Sequence, residues 1–399
     1  MKRLGLLVLS AILLGCTTSP SPVLPPVELT PIENPLYARR NWNSMIGSGV
    51  GEAYLKLQPV FAGSTGYVAD AKGYVRAFEV TTGETRWSLQ LELPIASGPA
   101  VVEDKLLFGT SQGEVLARDL QNGKELWRAA VSSEVLAQPS GEAGVVVIRT
   151  VDGRVYGLAA DNGKRLWVYD RSVPLLTLRG NSTPVIHNGI VIIGSDSGKL
   201  AALTLKTGTV LWETQIADPR GRTELERMVD IDAQPIVMED VVYVVTYQGR
   251  LATVQLDSGR MLWARDISSY SGMALDPYRV YITDSESQVW ALNRFNGATL
   301  WRQDKLLRRS LTSPVLQGPN LVVADYDGYI HWLKREDGRI VARKRVNQDW
   351  HEAHQVDFAE VEDQFSKANN ILAAPKEFDS MILVMDRLGH IEAFELERP

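Results

Sequence analysis

One cysteine, Cys16, stands in a chain of 399 residues, so no disulfide can form within it and the fold must close by non-covalent contacts alone. Only five histidines are present, and 42 basic against 48 acidic residues leave a formal net charge of -6. That balance gives no electrostatic footing for nucleic-acid binding. Long apolar runs are also missing. The one candidate, Leu4 to Leu14, has eleven residues interrupted by Gly5 and Ser10, too few for a spanning helix, and after Met1-Lys2-Arg3 it reads as an export signal.

What the chain does have is repetition. The phrase GRVYGLAADNGKRLW, Gly153 to Trp167, recurs as Gly, any residue, Val/Leu/Ile, any residue, a small residue, an apolar residue, four more, Gly, three more, Trp. The first position is filled by Gly73, Gly113, Gly153, Gly198, Gly249, Ser287, Gly328 and Gly389, at intervals of 40, 40, 45, 51, 38, 41 and 61 residues. Eight copies with a period near forty and alternating apolar strands predict an all-β, eight-bladed β-propeller with four-stranded antiparallel blades. The last copy ends before a Gly-x-x-x-Trp strand can follow. The segment around Trp42 is therefore the expected donor of the missing strand, closing the ring with the N-terminus.

Turn chemistry separates the strands within each copy, and prolines at Pro99, Pro139, Pro184, Pro235 and Pro314 fit exposed strand starts. Trp87, Trp127, Trp167, Trp212, Trp263 and Trp301 are expected on outer strands, covering the seam to the next blade. Arg343 stands near the corresponding place in blade seven, where Trp332 replaces the small residue, so that blade should pack differently. Small residues at Ala77, Ala117, Gly157, Ala202, Thr253 and Ala291 are expected to allow close sheet approach. The domain reading is a signal segment over 1–15, a lipidated cysteine and mobile proline-rich tether over 16–35, and the propeller over 36–399.

Three connections are longer than the rest: 172–180, 218–232, and the stretch from Trp350 to Asn370, whose 360–368 portion has helix-forming composition. Inserted length in a propeller gathers on one face, which makes these the candidate functional segments. Leu176 and Leu178 share a face of an extended segment beside Arg179. The residues allow two readings: a small binding hot spot, or two leucines capping adjacent blades with Arg179 paired internally to Asp230 or Asp232. A further possibility is that outer strands accept an added strand along their edges.

Enzymatic alternatives find little support. Asp325/Asp327 and Asp284/Glu286 could suggest a calcium-bound quinone site, yet they fall in turns where Asp satisfies its own backbone. His351-Glu-Ala-His354 is one residue short of a zinc-protease motif, and no Gly-x-Ser-x-Gly elbow occurs. No catalytic residue, metal or cofactor is expected.

Leu13-Leu14-Gly15-Cys16 resembles the bacterial lipobox, which implies cleavage before Cys16 and acylation of it. Loss of Lys2 and Arg3 with residues 1–15 would leave 40 basic residues against 48 acidic ones. Thr17, in place of Asp, implies sorting to the outer membrane. The repeat resembles that of pyrroloquinoline-quinone dehydrogenases and their non-enzymatic PQQ-like relatives. With the lipobox, the tether, eight repeats and the connections Pro174 to Gly180 and Met228 to Asp232, the chain resembles the propeller lipoproteins of the outer-membrane β-barrel assembly machinery. That resemblance implies a scaffold on the periplasmic face of the outer membrane that binds the POTRA domains of the barrel insertase BamA and assists unfolded outer-membrane clients. It places partner-binding residues on Leu176, Leu178, Arg179, Asp230 and Asp232. The alternatives are a propeller scaffold for another envelope complex and a quinone-dependent dehydrogenase.

Overall fold

A computed structural model describes residues 24–33, 35–51, 54–170, 182–223, 225–346 and 370–397. Cys16, the lipobox, Leu176, Leu178, Arg179 and the 350–368 portion with its two histidines lie outside the described residues.

The described residues form eight four-stranded antiparallel sheets. In seven, four consecutive strands simply meander. Blade three is typical, with strands Ser140–Glu142, Val145–Arg149, Val155–Ala159 and Arg165–Tyr169. Its middle strands VVVIR and VYGLA are apolar on both faces because a neighbouring blade covers each face, and they are buried almost throughout. The fourth strand, RLWVY, buries only Trp167 and leaves its other residues to solvent or half-covered. First strands of successive blades touch one another, as those of blades one and two, two and three, and three and four do. They therefore line the axis, and the fourth strands form the rim. This is the eight-bladed propeller expected from the repeat period.

Closure uses the N-terminus, as the incomplete last repeat requires. Ala38–Met45 pairs antiparallel with His390–Leu396 as the fourth strand of blade eight, with Trp42 opposite Ala393. The eighth sheet thus joins the two ends of the chain through backbone hydrogen bonds and buries two edges that would otherwise stay open.

Between blades, the tryptophans act through one recurring contact. The indole Nε1 of Trp127, Trp167, Trp212, Trp263 and Trp301 donates to a backbone carbonyl of the next blade, respectively Ala160, Leu205, Leu256, Arg294 and Arg335, at 2.8–3.1 Å. Trp42 does the same across the closure seam, to Val80 O at 2.9 Å. At the seam from blade one to blade two, the Tyr67 hydroxyl takes the equivalent carbonyl, Leu120 O, at 3.0 Å, and Trp87 packs at Gly123. Each indole also lies flat on the second glycine of the following repeat. A Cβ at Gly163 would sit 2.5 Å from the Trp127 ring, so the same spacing that marks the repeat encodes the docking of its neighbour.

The small residues also make room for the tryptophans of their own blades. Each sits directly across the strand pair from its own tryptophan, as with Ala77 and Trp87, Ala117 and Trp127, Gly157 and Trp167, or Thr253 and Trp263. A Cβ on Gly157 would collide with the Trp167 indole. Blade seven keeps this complementarity with the partners exchanged: Trp332 occupies the small position, and Ala342, not Arg343, lies opposite it. Trp332 is completely buried and its Nε1 donates to Gln317 Oε1 at 2.6 Å. Replacing Trp332 by Phe strands that buried acceptor and is expected to cost about 1–3 kcal/mol in denaturant unfolding.

Prolines 139, 184, 235 and 314 each immediately precede a first strand. Pro99 differs, lying inside the first strand of blade two, Ile95–Val102, where the pairing register shifts between Ser97 and Ala100. The irregularity spares a ladder position that a proline could not fill.

Of the expected mobile tether, residues 16–23 and 34 lie outside the described residues, and the described part lies against the ring. Residues 25–33, 35 and 36 run along blades six and seven: Val27 N donates to Leu307 O at 3.1 Å, Arg343 to Thr30 O at 3.1 Å, and Leu36 N to Val341 O at 2.8 Å. Leu29 and Leu36 pack onto the apolar cores beneath. Prolines keep such a strand extended, but the two leucines and the facing arginines give it a surface to bind.

The turn between second and third strands carries Asp, Thr or Ser three residues before the first glycine of the repeat. In blade eight, Asp386 Oδ1 accepts Leu388 N and His390 N at 2.9 Å, while Oδ2 faces His390 Nδ1 at 2.8 Å. Burial alone would depress the His390 imidazolium, but Asp386 and Glu392 outweigh it and raise its pKa above the usual value. A raised histidine stabilises the fold fully below about pH 6.5 and loses that contribution as pH climbs through its folded pKa. The difference in melting temperature between the wild type and His390→Gln is therefore expected to be largest below about pH 6.5 and to shrink as pH rises through the raised folded pKa of His390.

Candidate partner-binding face

In a four-strand meander, the turn between second and third strands and the connection to the next blade emerge on the same side of the ring. The glycine turn joining third and fourth strands emerges on the other. All three long connections join a fourth strand to the next blade's first strand, so the described residues that flank them stand at the face that carries the first-glycine turns.

The second connection leaves blade four after Gln215 and reaches blade five at Ile236. Residues 218–223 and 225–227 are exposed, and Leu225 presents 61% of its surface. Thr223 and Glu226 tie this part into a tight turn. The Glu226 carboxylate accepts Arg222 N at 2.6 Å and Thr223 N at 3.2 Å, and these donors hold it below the ordinary carboxylate range. Gln248 Nε2 reaches across from blade five to Leu225 O at 3.2 Å.

From Met228 onward the chain turns inward. Val229 fills the space at Gly198, and Ile231 fills the hollow left by Gly194. Ile231 N donates to Ser195 O at 3.1 Å, and Tyr247 N donates to Asp230 O at 2.9 Å. The backbone is thereby fixed to blade four on one side and blade five on the other. Alternation in this extended stretch sets the burial: Asp230 is fully buried, and Asp232 stays partly exposed at the channel mouth. The two aspartates, equivalent on sequence grounds, are therefore different. Only Asp232 can meet a partner directly.

The first connection ends where the second does. Ser182, the first described residue after 171–181, is buried and its hydroxyl donates to Ala233 O at 3.3 Å, next to Asp232. Close by, Arg149 of blade three forms a buried ion pair with Asp196 in the turn of blade four, the residue after Ser195. The sequence reading missed this pair. Its signal was an arginine ending an otherwise aliphatic strand, VVVIR. A buried pair of this kind fixes the relative position of two blades better than it stabilises them.

The same face opens on a cavity of about 930 Å³ at the axis, lined in part by Tyr247, Tyr270, Gln234, Asp232 and Lys376. Asp232 is the one carboxylate among its described lining residues, and no group of three or more His, Cys, Asp or Glu that could hold a metal occurs among the described residues. Asp284 and Asp325, considered for calcium, are committed to their turns. Asp284 accepts Glu286 N, Gln288 N and Trp290 Nε1, and burial lifts its carboxyl above the usual range. Asp325 accepts Asp327 N and Tyr329 N while its other oxygen meets Arg309 and His331.

Comparison with known proteins agrees with this architecture. A sequence family described as outer membrane protein assembly factor BamB matches residues 71–303 and 291–374. A relative from Pseudomonas aeruginosa, named outer membrane protein assembly factor BamB, is 48% identical over 348 residues, covering 87% of this chain and 92% of that protein. The crystal structure of BamB from Moraxella catarrhalis superposes with a TM-score of 0.78 at 23% identity, covering 90% of this chain and all of that one. A quinohemoprotein alcohol dehydrogenase from Pseudomonas putida shares the fold, with a TM-score of 0.71, but only 12% identity over 91% of this chain and 78% of that one.

Proposed function

The chain belongs to the family of the outer membrane protein assembly factor BamB, and from that premise we propose that it is a non-enzymatic scaffold of the outer-membrane protein assembly complex. It is anchored by acylated Cys16 at the periplasmic face of the outer membrane. There the connections 172–180 and 218–232 bind POTRA domains of a BamA-like insertase, and unfolded barrel clients pass nearby. Leu176, Leu178 and Arg179 supply the contact surface, Asp232 its polar margin, and Asp230 its positioning.

The observation that carries this reading is the junction at Ser182 and Ala233, which brings the bases of both connections together on one face over a rigid two-blade support. Short apolar anchors beside a guanidinium suit a compact hot spot on such a support. A photo-crosslinker placed at 176 and at 179 in the periplasm should recover a POTRA-bearing barrel protein. A different stable partner at both positions would sink the proposal.

A further inference from the structure

Blade seven differs from its neighbours in charge as well as packing. Its fourth strand, Ile340–Arg345, ends Arg343-Lys344-Arg345 at the three positions that follow the tryptophan in blades one to six, where those blades place at most one cation. Residues 339–346 contain four cations and no acid, and residues 302–309, at the adjoining edge of blade six, contain four cations against Asp304 alone. These two stretches carry a strong positive excess in a chain whose net charge is -6. Arg302, Lys305, Arg308, Arg343, Lys344 and Arg345 are all at least partly accessible, and none forms an ion pair among the described residues.

The N-terminal segment ends on this patch. Arg308 Nε donates to Pro25 O at 2.7 Å, and Arg309 to Val27 O at 3.2 Å. Arg309 and Arg345 both stack over Tyr329, with centroid distances of 5.8 and 5.2 Å, so the two basic stretches meet where the chain leaves the ring. From Leu24 back to Cys16 there are only eight residue steps, which span at most about 29 Å when fully extended.

We propose that the basic rim of blades six and seven docks on anionic phospholipid headgroups, so that the propeller stands on the bilayer in one orientation instead of swinging on a free tether. The inference rests on acylation of Cys16. A strapped N-terminus brings this rim closer to the membrane than any other part of the ring, and unpaired guanidinium and ammonium groups within a Debye length of an anionic surface are drawn to it. Carbonyls and aromatic rings hold Arg308, Arg343 and Arg345 in place, which leaves their charge available.

The lipidated chain has no thiol other than the acylated one, so Asp304→Cys and Asp161→Cys each give a single labelling site, the first beside the patch and the second across the ring on blade three. The labelled proteins are reconstituted into phosphatidylcholine vesicles carrying a headgroup quencher, with or without about 30% phosphatidylglycerol. On anionic vesicles the label at 304 should be quenched at least about threefold more than the label at 161. The difference should collapse on neutral vesicles, at about 0.5 M salt, and in the Lys305→Glu, Lys344→Glu variant, whose two side chains make none of the bonds that hold the strap. Equal quenching at both positions on anionic vesicles, with the protein still floating with them, overturns the docking and leaves the anchor intact. Protein that fails to float with neutral vesicles overturns the anchor, and the docking with it.

Discussion

Trp42→Ala is expected to destabilise the ring by about 3–4 kcal/mol and to lower its melting temperature by about 4–5 °C. The indole packs edge-on against Phe78 with ring centroids 5.6 Å apart, covers Gly83 and donates to Val80 O. It therefore holds Ala38–Met45, the strand that completes blade eight through hydrogen bonds alone, against blade one, and no disulfide can substitute. Loss of the contact should also make thermal unfolding less reversible, because release of Ala38–Met45 bares the edge of His390–Leu396. Trp42→Phe, which keeps most of the ring contact and drops the hydrogen bond, should cost about 1 kcal/mol. Calorimetry on the three proteins checks the order, and a Trp42→Ala melt like that of the wild type would remove this residue from the closure.

Asp230→Ala is expected to weaken capture of the proposed POTRA partner by at least about tenfold, or 1.4 kcal/mol, although the side chain has no accessible surface. Its backbone is locked between Ser195 and Tyr247 through the neighbouring hydrogen bonds, so the loss would come through the position of what lies above it. Asp232→Ala, at the partly exposed position, should reduce binding less. If Asp230 orients Arg179, the exchange Arg179→Asp with Asp230→Arg should recover part of the binding that each single change loses. Titration of purified POTRA domains against the five variants separates the cases, and undiminished binding by Asp230→Ala would exclude the positioning role.

Much of the architecture was legible before any coordinates. Glycine and tryptophan spacing set the number of blades, and the missing Gly-x-x-x-Trp at the C-terminus pointed to Trp42, because strand pairing leaves few ways to complete an open sheet. Spacing was less informative about what each repeated residue touches. That Gly163 receives Trp127 from the preceding blade, and that Trp332 and Ala342 exchange places, are relations across strands or seams, which a one-dimensional period does not carry.

Sequence alone determined the ring, its eightfold division and its closure by the N-terminus, since these follow from local turn chemistry and alternation repeated along the chain. Tertiary structure decided the rest: that Asp230 is buried while Asp232 reaches the channel mouth, that Arg149 pairs with Asp196, and that residues 25–33, 35 and 36 lie strapped to blades six and seven. Each depends on which distant segments face one another, and burial, ion pairing and docking are settled by that meeting.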